Sequence, residues 1–343
     1  NAKDGIVVDV GGYIGMSSTG FLLEGLFEKA LSFEPSPENF RLLKKNIELN
    51  GLAERLSAYN IELSDEIGTL EFELSDNDFN FLREFVKERT GINLSDAKRE
   101  LVYGRLAKRL RVLKLGGFGE YCNRLKEGDD TETANLVDSI TTNLTSFFRE
   151  NHHFEYLANE LIPRIQKENH ISRRLRIWSA GCSSGEEPYS IAMVLKETMP
   201  STGGWDAKVL ASDLDSKVVA RAKSGVYDFG RINSLPSHRL KRWFNKGTGD
   251  NAHQIQASPD LQNLITFKQL NLMHEWPIKG PFDAIFCRNV VIYFDKPTQR
   301  ILFDRYADLL VDGGILFIGH SESLFKVSDR FKLLGKTIYQ KIK

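Results

Sequence analysis

Short apolar runs alternate with amphipathic segments over the first 75 residues of the chain. Apolar runs of four to six residues are typical of strands, and apolar positions repeating every three to four residues are typical of helices. Ser36 followed by Pro37 is a favoured helix start, and Asn50-Gly51 is a favoured end. The pattern predicts a partial α/β half-domain over residues 1–75, with strands Ile6–Val10, Leu31–Glu34, Leu56–Glu62 and Thr69–Leu74 and helices Ser17–Ala30 and Pro37–Asn50.

Only helical periodicity is present from Asp76 to about residue 150. The segment Asp78–Arg89 is amphipathic, and "TGINLS" interrupts it. The next helix places Val102, Leu106, Leu110 and Leu113 on one face. We therefore expect a small all-α domain and a linker over residues 76–150.

Strand and helix patterns alternate again from Leu175 to the end of the chain. Such alternation predicts an open, mostly parallel, doubly wound sheet with helices on both faces, here over residues 151–343. Residues 226–263 interrupt the alternation and predict an inserted subdomain, and "FKLLGKTIYQKIK" predicts a terminal antiparallel pair. The predicted strands are Leu175–Ser179, Val209–Asp213, Leu264–Leu270, Asp283–Cys287 and Ile315–Gly319, and the helices are Glu187–Met199, Ser216–Gly225 and Pro297–Val311.

Composition narrows the class of protein. Lys plus Arg and Asp plus Glu both number 46 in the 343 residues, so total charge gives no reason to expect binding to nucleic acid or to a charged membrane. The cysteines Cys122, Cys182 and Cys287 are scattered without a C-x-x-C pair, which argues against a disulfide framework or a zinc site. No signal segment or membrane-spanning apolar run is present, and we expect a cytoplasmic protein without membrane insertion.

The stretch "SAGCSSGEE" connects a predicted strand to a predicted helix. In a doubly wound sheet, small residues at this turn let a nucleotide approach the backbone and the positive helix N-terminus. Two glutamates opening the helix would repel a pyrophosphate, which favours an adenosyl ligand without phosphate. Asp213, at the end of the second strand, is placed to bind ribose hydroxyls. The alternative is a tight turn in which Asp213 only caps the following helix.

Five stretches, in this order, closely resemble the CheR family of chemotaxis receptor methyltransferases: "TTNLTSFFREN", "WSAGCSSGEEPYS", "ASDLD", "LNL" and "FDAIFCRNVVIYFD". The resemblance extends from about Leu74 to the C-terminus. It implies a Rossmann-like S-adenosylmethionine methyltransferase domain with a small inserted antiparallel β subdomain, preceded by the all-α domain. The implied reaction converts glutamate side chains on chemotaxis receptors to methyl esters for sensory adaptation.

The resemblance also assigns residues. It implies that Arg149 orients the acceptor or the cofactor and that Tyr293 borders the transferred methyl group; without it, a surface salt bridge and a half-buried aromatic would be the simpler interpretations. Between Glu186 and Glu187, alignment favours Glu187 as the one facing the ligand. A glutamate acceptor is already ionised at pH 7, so transfer needs no general base. The implied cofactor-binding residues are Asn143, Thr145, Arg149, Gly181, Glu187, Asp213, Asn271, Leu272, Arg288 and Asn289.

A basic segment offers a candidate docking surface. Seven basic residues and one acidic residue lie between Lys98 and Lys114, and Lys98, Arg105, Lys108 and Arg109 share one helix side. This side is either a solvated face or a surface for glutamate-bearing receptor helices. No base-reading motif accompanies it, which argues against nucleic acid as the partner.

Two further expectations concern the insertion and a histidine pair. In CheR relatives the insertion is a β subdomain, and a glycine-containing loop such as "KGTGDN" accompanies recruitment of a receptor's C-terminal tail as an added strand. His152 and His153 are adjacent, so on a helix they should point in different directions, and no carboxylate cluster completes a site. We expect them to be structural and predict no metal site.

"DVGGYIG", with Glu34 nineteen positions after Gly15, resembles the opening half of the FkbM family of methyltransferases up to about Leu74. The resemblance rests on Asp9, Gly11, Gly15 and Glu34, and the strands that would complete that fold are missing. The segment is a remnant of a fusion, an artefact at the boundary of the chain, or a regulatory module that binds a nucleotide. An FkbM-type small-molecule O-methyltransferase and a non-catalytic receptor-binding adaptor are the alternative functions.

Overall fold

The computed structural model describes residues 5–61, 72–141, 143–199, 204–232 and 235–343, without the side chains of Arg231 and Asp250. The chain divides into two compact units, Asn1–Glu71 and Phe72–Lys343. Within the described ranges, no helix is both long enough and apolar enough to cross a bilayer.

The first unit is a three-stranded parallel sheet of order β1-β2-β3 with two helices. Ser36 caps its second helix by accepting a hydrogen bond from the Asn39 amide, as the sequence predicts. The first helix ends at Leu23 rather than Ala30, because Gly25 adopts a left-handed φ of 68° and lets the chain turn into the next strand. The predicted strand Thr69–Leu74 falls mostly outside the described residues, and residues 72–74 are not in a strand. The elements are β1 (Ile6–Val10), α1 (Met16–Leu23), β2 (Lys29–Phe33), α2 (Pro37–Leu49) and β3 (Leu56–Tyr59).

The second unit opens with the helical domain. Its predicted stripe is fully buried at Val102, Leu106 and Leu110 and half-buried at Leu113, where it packs against the same core, which confirms the predicted apolar face. The domain contains α3 (Asp76–Thr90), a 3-10 turn Asp96–Lys98, α4 (Arg99–Val112), α5 (Phe118–Lys126) and α6 (Asp130–Ile140).

The rest of the second unit is the predicted doubly wound domain. In its described part, a seven-stranded sheet has the order β12-β13-β11-β10-β4-β5-β9, parallel except at β13. The insertion forms a separate antiparallel sheet of order β6-β8-β7, as predicted for residues 226–263. In chain order the elements are α7 (His152–Tyr156), a π turn (Leu157–Leu161), α8 (Ile162–Glu168), β4 (Arg174–Ala180), α9 (Glu186–Thr198), β5 (Asp206–Asp213), α10 (Ser216–Ser224), β6 (Val226–Asp228), α11 (Ser237–Trp243), β7 (Phe244–Lys246), β8 (Gln254–Ala257), α12 (Pro259–Gln262), β9 (Ile265–Gln269), β10 (Phe282–Cys287), α13 (Lys296–Leu309), β11 (Leu310–Ile318), β12 (Phe331–Gly335) and β13 (Ile338–Lys341).

The strand order determines where a ligand can bind. The chain runs outward from β4 in both directions, to β5 on one side and β10 on the other, and such a reversal opens a crevice at the carboxyl ends of the strands. The helical domain closes one side of this crevice, because Ile92 bridges to Phe294 and the Asn93 amide donates to the Tyr293 carbonyl at 2.8 Å.

Candidate active site

An open cleft lies at the crevice, with about 1200 Å³ of empty space that includes open solvent. All eleven residues predicted for cofactor binding and catalysis line it, although they come from five separate parts of the chain. They are Asn143, Thr145, Arg149, Gly181, Glu187, Asp213, Asn271, Leu272, Arg288, Asn289 and Tyr293.

The turn at Gly181 brings bare backbone to the cleft. Gly181 has a φ of 94°, and its amide and that of Cys182 both donate to the Ser212 carbonyl, at 2.8 and 2.9 Å. A Cβ at Gly181 would lie 2.3 Å from a methyl group of Val290. Glycine is therefore required here by both conformation and space.

Asp213 ends β5 with both carboxylate oxygens held by backbone amides. Oδ2 accepts from Ser183 at 2.8 Å, and Oδ1 accepts from Asp215 at 3.1 Å. Desolvation raises the pKa of Asp213 to about 6, and these hydrogen bonds oppose the rise. The alternative that Asp213 caps α10 is wrong, since Asp215 is the cap and accepts from the Lys217 and Val218 amides.

Glu187, rather than Glu186, faces the cleft. Its Oε1 accepts from the Ser179 hydroxyl at 2.7 Å, and its Oε2 contacts Nη1 of Arg288 at 2.9 Å. Burial raises the pKa of Glu187, while the Arg288 charge opposes the rise. Glu186 is buried outside the cleft lining and accepts from the Ser184 hydroxyl at 2.7 Å.

Arg288 joins the sheet to the linker. Besides pairing with Glu187, its guanidinium donates to the Arg149 carbonyl and lies 3.3 Å from Glu150 Oε2. Burial of Glu150 is outweighed by the hydrogen bond from His320 and the charge of Arg288, and the pKa of Glu150 falls to about 2. Arg288 thus fixes the backbone of the segment that carries Arg149.

The linker between the helical domain and the sheet, residues 143–150, lies over the turn at Gly181 in a strained conformation. The side-chain amide of Asn143 donates to Oδ2 of Asp215 at 2.8 Å, and the Ser183 hydroxyl donates to the backbone carbonyl of Asn143 at 3.1 Å. Phe148 and Glu150, on either side of Arg149, have φ values of 53° and 54°, a region that side chains other than glycine seldom occupy. Because these contacts hold the linker in place, Arg149 projects from a defined backbone position.

The far side of the cleft is held by a buried carboxylate and an amide. Glu322 accepts from the Asn289 amide at 3.0 Å and from the Ile292 amide at 3.2 Å. The side chain of Asn271 donates to the Arg89 carbonyl and accepts from the Met273 amide at 2.9 Å. These contacts fix the loops after β9 and β10 and leave Tyr293 half-buried at the cleft.

Comparison with known proteins identifies the family to which these two domains belong. Residues 77–141 match a model described as "CheR methyltransferase, all-alpha domain", and residues 143–340 match one described as "CheR methyltransferase, SAM binding domain". The chain belongs to the CheR methyltransferase family. Within it, the chain is similar to chemotaxis protein methyltransferase 2 of Pseudomonas aeruginosa, with 45% identity over 80% of this chain and 97% of that protein.

Other family members align over similar lengths. The chemotaxis protein methyltransferase of Escherichia coli K12 is 44% identical over 78% of this chain and 91% of its own length. That of Borreliella burgdorferi is 39% identical over 74% and 91%. The chain therefore carries the S-adenosylmethionine-binding domain of the family, as the sequence predicts.

Sequence reasoning missed the contribution of the helical domain to the cleft of this CheR family member. Six of its residues line one wall: Thr90, Ile92, Leu94, Lys98, Leu101 and Ile140. The basic segment contained one signal, Lys98, but the prediction placed it on an outer docking face. Helical periodicity cannot show which part of a helix end packs against another domain.

Two of the four residues of the predicted docking face, Arg105 and Arg109, have partners within the helical domain, and receptor docking on this face stays a prediction. Arg109 forms a bidentate pair with the buried Glu132, with Nη2 and Oε2 2.6 Å apart. Arg105 donates through Nη1 to the carbonyls of residues 139–141 at 2.8–3.0 Å, where α6 ends. These two guanidinium groups hold α4 to α6, while Lys108 is exposed.

The expectation for the histidine pair is wrong in its geometry. The rings of His152 and His153 lie 4.1 Å apart, because the Lys336 carbonyl contacts both Nε2 atoms at 3.0 and 3.1 Å. With Glu150 they bring possible metal ligands within 4.8 Å of one another. The guanidinium of Arg288 beside Glu150 disfavours a cation there, and the absence of a metal site stays a prediction.

The first unit repeats the hydrogen bonds of the Gly181 turn. The Gly11 and Gly12 amides donate to the Phe33 carbonyl at 2.9 and 3.0 Å, and the Tyr13 amide donates to Glu34 Oε2 at 2.7 Å. The family matches begin at residue 77. The resemblance of the first 74 residues to the FkbM family, and a nucleotide site there, stay predictions.

Proposed function

We propose that this chain transfers the methyl group of S-adenosylmethionine to glutamate side chains on the cytoplasmic domain of chemotaxis receptors, forming methyl esters for sensory adaptation. Its membership of the CheR family supports the reaction class. The acceptor chemistry is supported by the charges in the cleft.

The main support for a glutamate acceptor is that both carboxylates lining the cleft already have hydrogen-bond partners. Glu187 is bound by Ser179 and Arg288, and Asp213 by two backbone amides. No histidine belongs to the cleft lining within the described ranges. A site without an available base suits an acceptor that is already ionised, as a glutamate carboxylate is at pH 7.

The cleft residues divide between the two substrates. We assign Gly181, Asp213, Asn271 and Leu272 to the adenosyl group, with Asp213 accepting from the ribose hydroxyls. S-adenosylmethionine supplies a methyl group on a sulfonium, a good leaving group. The chain supplies alignment and exclusion of water from the acceptor.

Arg149 and Tyr293 border the acceptor end of the cleft in this proposal. Arg149 donates to the Leu144 carbonyl at 2.7 Å, which leaves guanidinium donors for a carboxylate. An arginine and a phenol hold a carboxylate without competing for the methyl group at pH 7.

The receptor reaches the enzyme in the cytoplasm, and the β subdomain is the second contact in this proposal. Its sheet of order β6-β8-β7 has two edges, and β7 is followed by the loop that contains Gly247 and Gly249. An extended receptor C-terminal tail would add as a further strand.

Methyl transfer from labelled S-adenosylmethionine to a receptor cytoplasmic fragment tests the function. Arg149→Ala should lower kcat/KM for the fragment by about tenfold or more, because a charge-assisted contact is lost. Arg41→Ala, which removes an exposed arginine of α2, is the matched control and should change nothing. An unaltered rate in a folded Arg149→Ala protein would remove Arg149 from the mechanism. Tight cofactor binding without transfer to the fragment would favour the receptor-binding adaptor.

A further inference from the structure

Three cations line the cleft, and they differ in their partners. Arg288 is committed to Glu187, Glu150 and the Arg149 carbonyl, and its side chain is only 2% exposed. Arg149 donates to a backbone carbonyl of its own linker. Lys98, from the helical domain, forms no ion pair with any carboxylate that the structure describes.

Lys98 lies beside the tyrosine at the acceptor end. Its Nζ is 4.8 Å from the centroid of the Tyr293 ring. Ile92, Leu94 and Leu101 line the same wall, so the ammonium stands at an apolar surface of the cleft. A carboxylate entering here would lose water, and its attraction to the ammonium would be stronger than on the protein surface.

The charged form of Lys98 is destabilised in this environment, and a bound anion would stabilise it. Burial and the nearby charge of Arg105 both lower the pKa of Lys98, which means that its charged form is held unfavourably. A negative charge within contact distance would reverse that effect. The cleft therefore favours binding of a carboxylate beside Lys98.

We propose that Lys98 binds the carboxylate of the acceptor glutamate and thereby selects glutamate over its neutral amide. The inference rests on the proposed function and adds the residue that recognises the acceptor. It makes the helical domain part of the acceptor site, because Lys98 immediately precedes α4. Lys98 holds the carboxylate for attack on the methyl group and takes no proton from it.

The test compares binding of an anionic and a neutral acceptor. A receptor fragment with glutamine at its methylation positions competes with the glutamate fragment without being methylated. The proteins are wild type, Lys98→Met, Lys98→Arg and the control Lys167→Met, which removes an exposed lysine of α8 outside the cleft lining. The measurements are KM for the glutamate fragment, the inhibition constant of the glutamine fragment, and the Kd of S-adenosylmethionine.

We expect Lys98→Met to raise KM for the glutamate fragment about ten- to hundredfold, in line with loss of a charged hydrogen bond. Its inhibition by the glutamine fragment and its cofactor Kd should match wild type, so discrimination between the fragments disappears. Lys98→Arg should retain most of the discrimination, and Lys167→Met all of it.

Two results would overturn the inference. Unchanged discrimination in a folded Lys98→Met protein would show that Lys98 does not contact the acceptor carboxylate. A weaker cofactor Kd with unchanged KM would show that Lys98 binds the carboxylate of S-adenosylmethionine instead. Failure of the wild-type enzyme to methylate the glutamate fragment would count against the proposed function itself.

Discussion

The affinity for S-adenosylmethionine should weaken steeply as the pH is lowered from 7 to 5, because Asp213 becomes protonated. Desolvation raises its pKa to about 6, so its ionised fraction drops from about nine-tenths at pH 7 to about one-tenth at pH 5. If only the carboxylate form accepts from the ribose hydroxyls, the Kd should rise about tenfold over that interval. With the ordinary value of 3.8, the change would be less than about 10%.

Isothermal titration at constant ionic strength between pH 5 and 7 measures this dependence. The interval avoids titration of the cofactor's amino group, whose pKa lies near 8. Asp213→Asn is the control, since it removes the ionisation; its Kd should be weaker and nearly independent of pH. Asparagine also replaces one of two accepting oxygens, so some loss of affinity is expected at every pH.

Two results would refute the reasoning. A flat wild-type profile would mean that Asp213 is either not perturbed or not in contact with the ligand. A slope that persists in Asp213→Asn would assign the titration to another group.

Three further predictions concern stability and the glycine turn. Arg288→Met should lower the free energy of unfolding by about 3–5 kcal/mol, since it leaves Glu187 buried without its cation; a loss below about 1 kcal/mol on urea denaturation would contradict this. Gly181→Ala should weaken cofactor binding by at least about tenfold, because its φ is 94° and the new Cβ would lie 2.3 Å from a valine methyl, while Gly104→Ala, at an open position, should leave titrations unchanged. Asp295→Ala should cost about 1 kcal/mol by removing the cap of α13, and Asp295→Asn much less. The hydrogen bond from Lys87 lowers the pKa of Asp295 to about 2. The stability advantage of the wild type over Asp295→Asn should therefore be present above about pH 4 and should be lost as the pH falls towards 2.

Local signals explain why much of the fold was predictable. The Ser36-Pro37 start and the Asn50-Gly51 end depend on neighbouring residues, and the structure places helix α2 at Pro37–Leu49. The apolar stripe from Val102 to Leu113 depends on helical periodicity alone. The turn at Gly181 was predicted because glycine between a strand and a helix has a local conformational reason.

The remainder depends on contacts between distant residues. The pair of Glu187 and Arg288 joins positions 101 apart in sequence, and no local pattern specifies it. The sequence predicts Arg105 and Arg109 as exposed charges, because their partners, the carbonyls at the end of α6 and the buried Glu132, lie 23 to 36 positions further along the chain. The position of Lys98 in the cleft wall likewise follows from packing of the helical domain against the sheet.

Release of methanol from labelled receptor tests the central claim most directly. The protein is incubated with methyl-labelled S-adenosylmethionine and a receptor cytoplasmic fragment, and the labelled fragment is then treated with mild base. Carboxyl methyl esters hydrolyse under these conditions, so the account predicts that the label leaves as volatile methanol and that a fragment with glutamine at the methylation positions takes up none. Label that stays on the fragment after base would contradict methylation of glutamate.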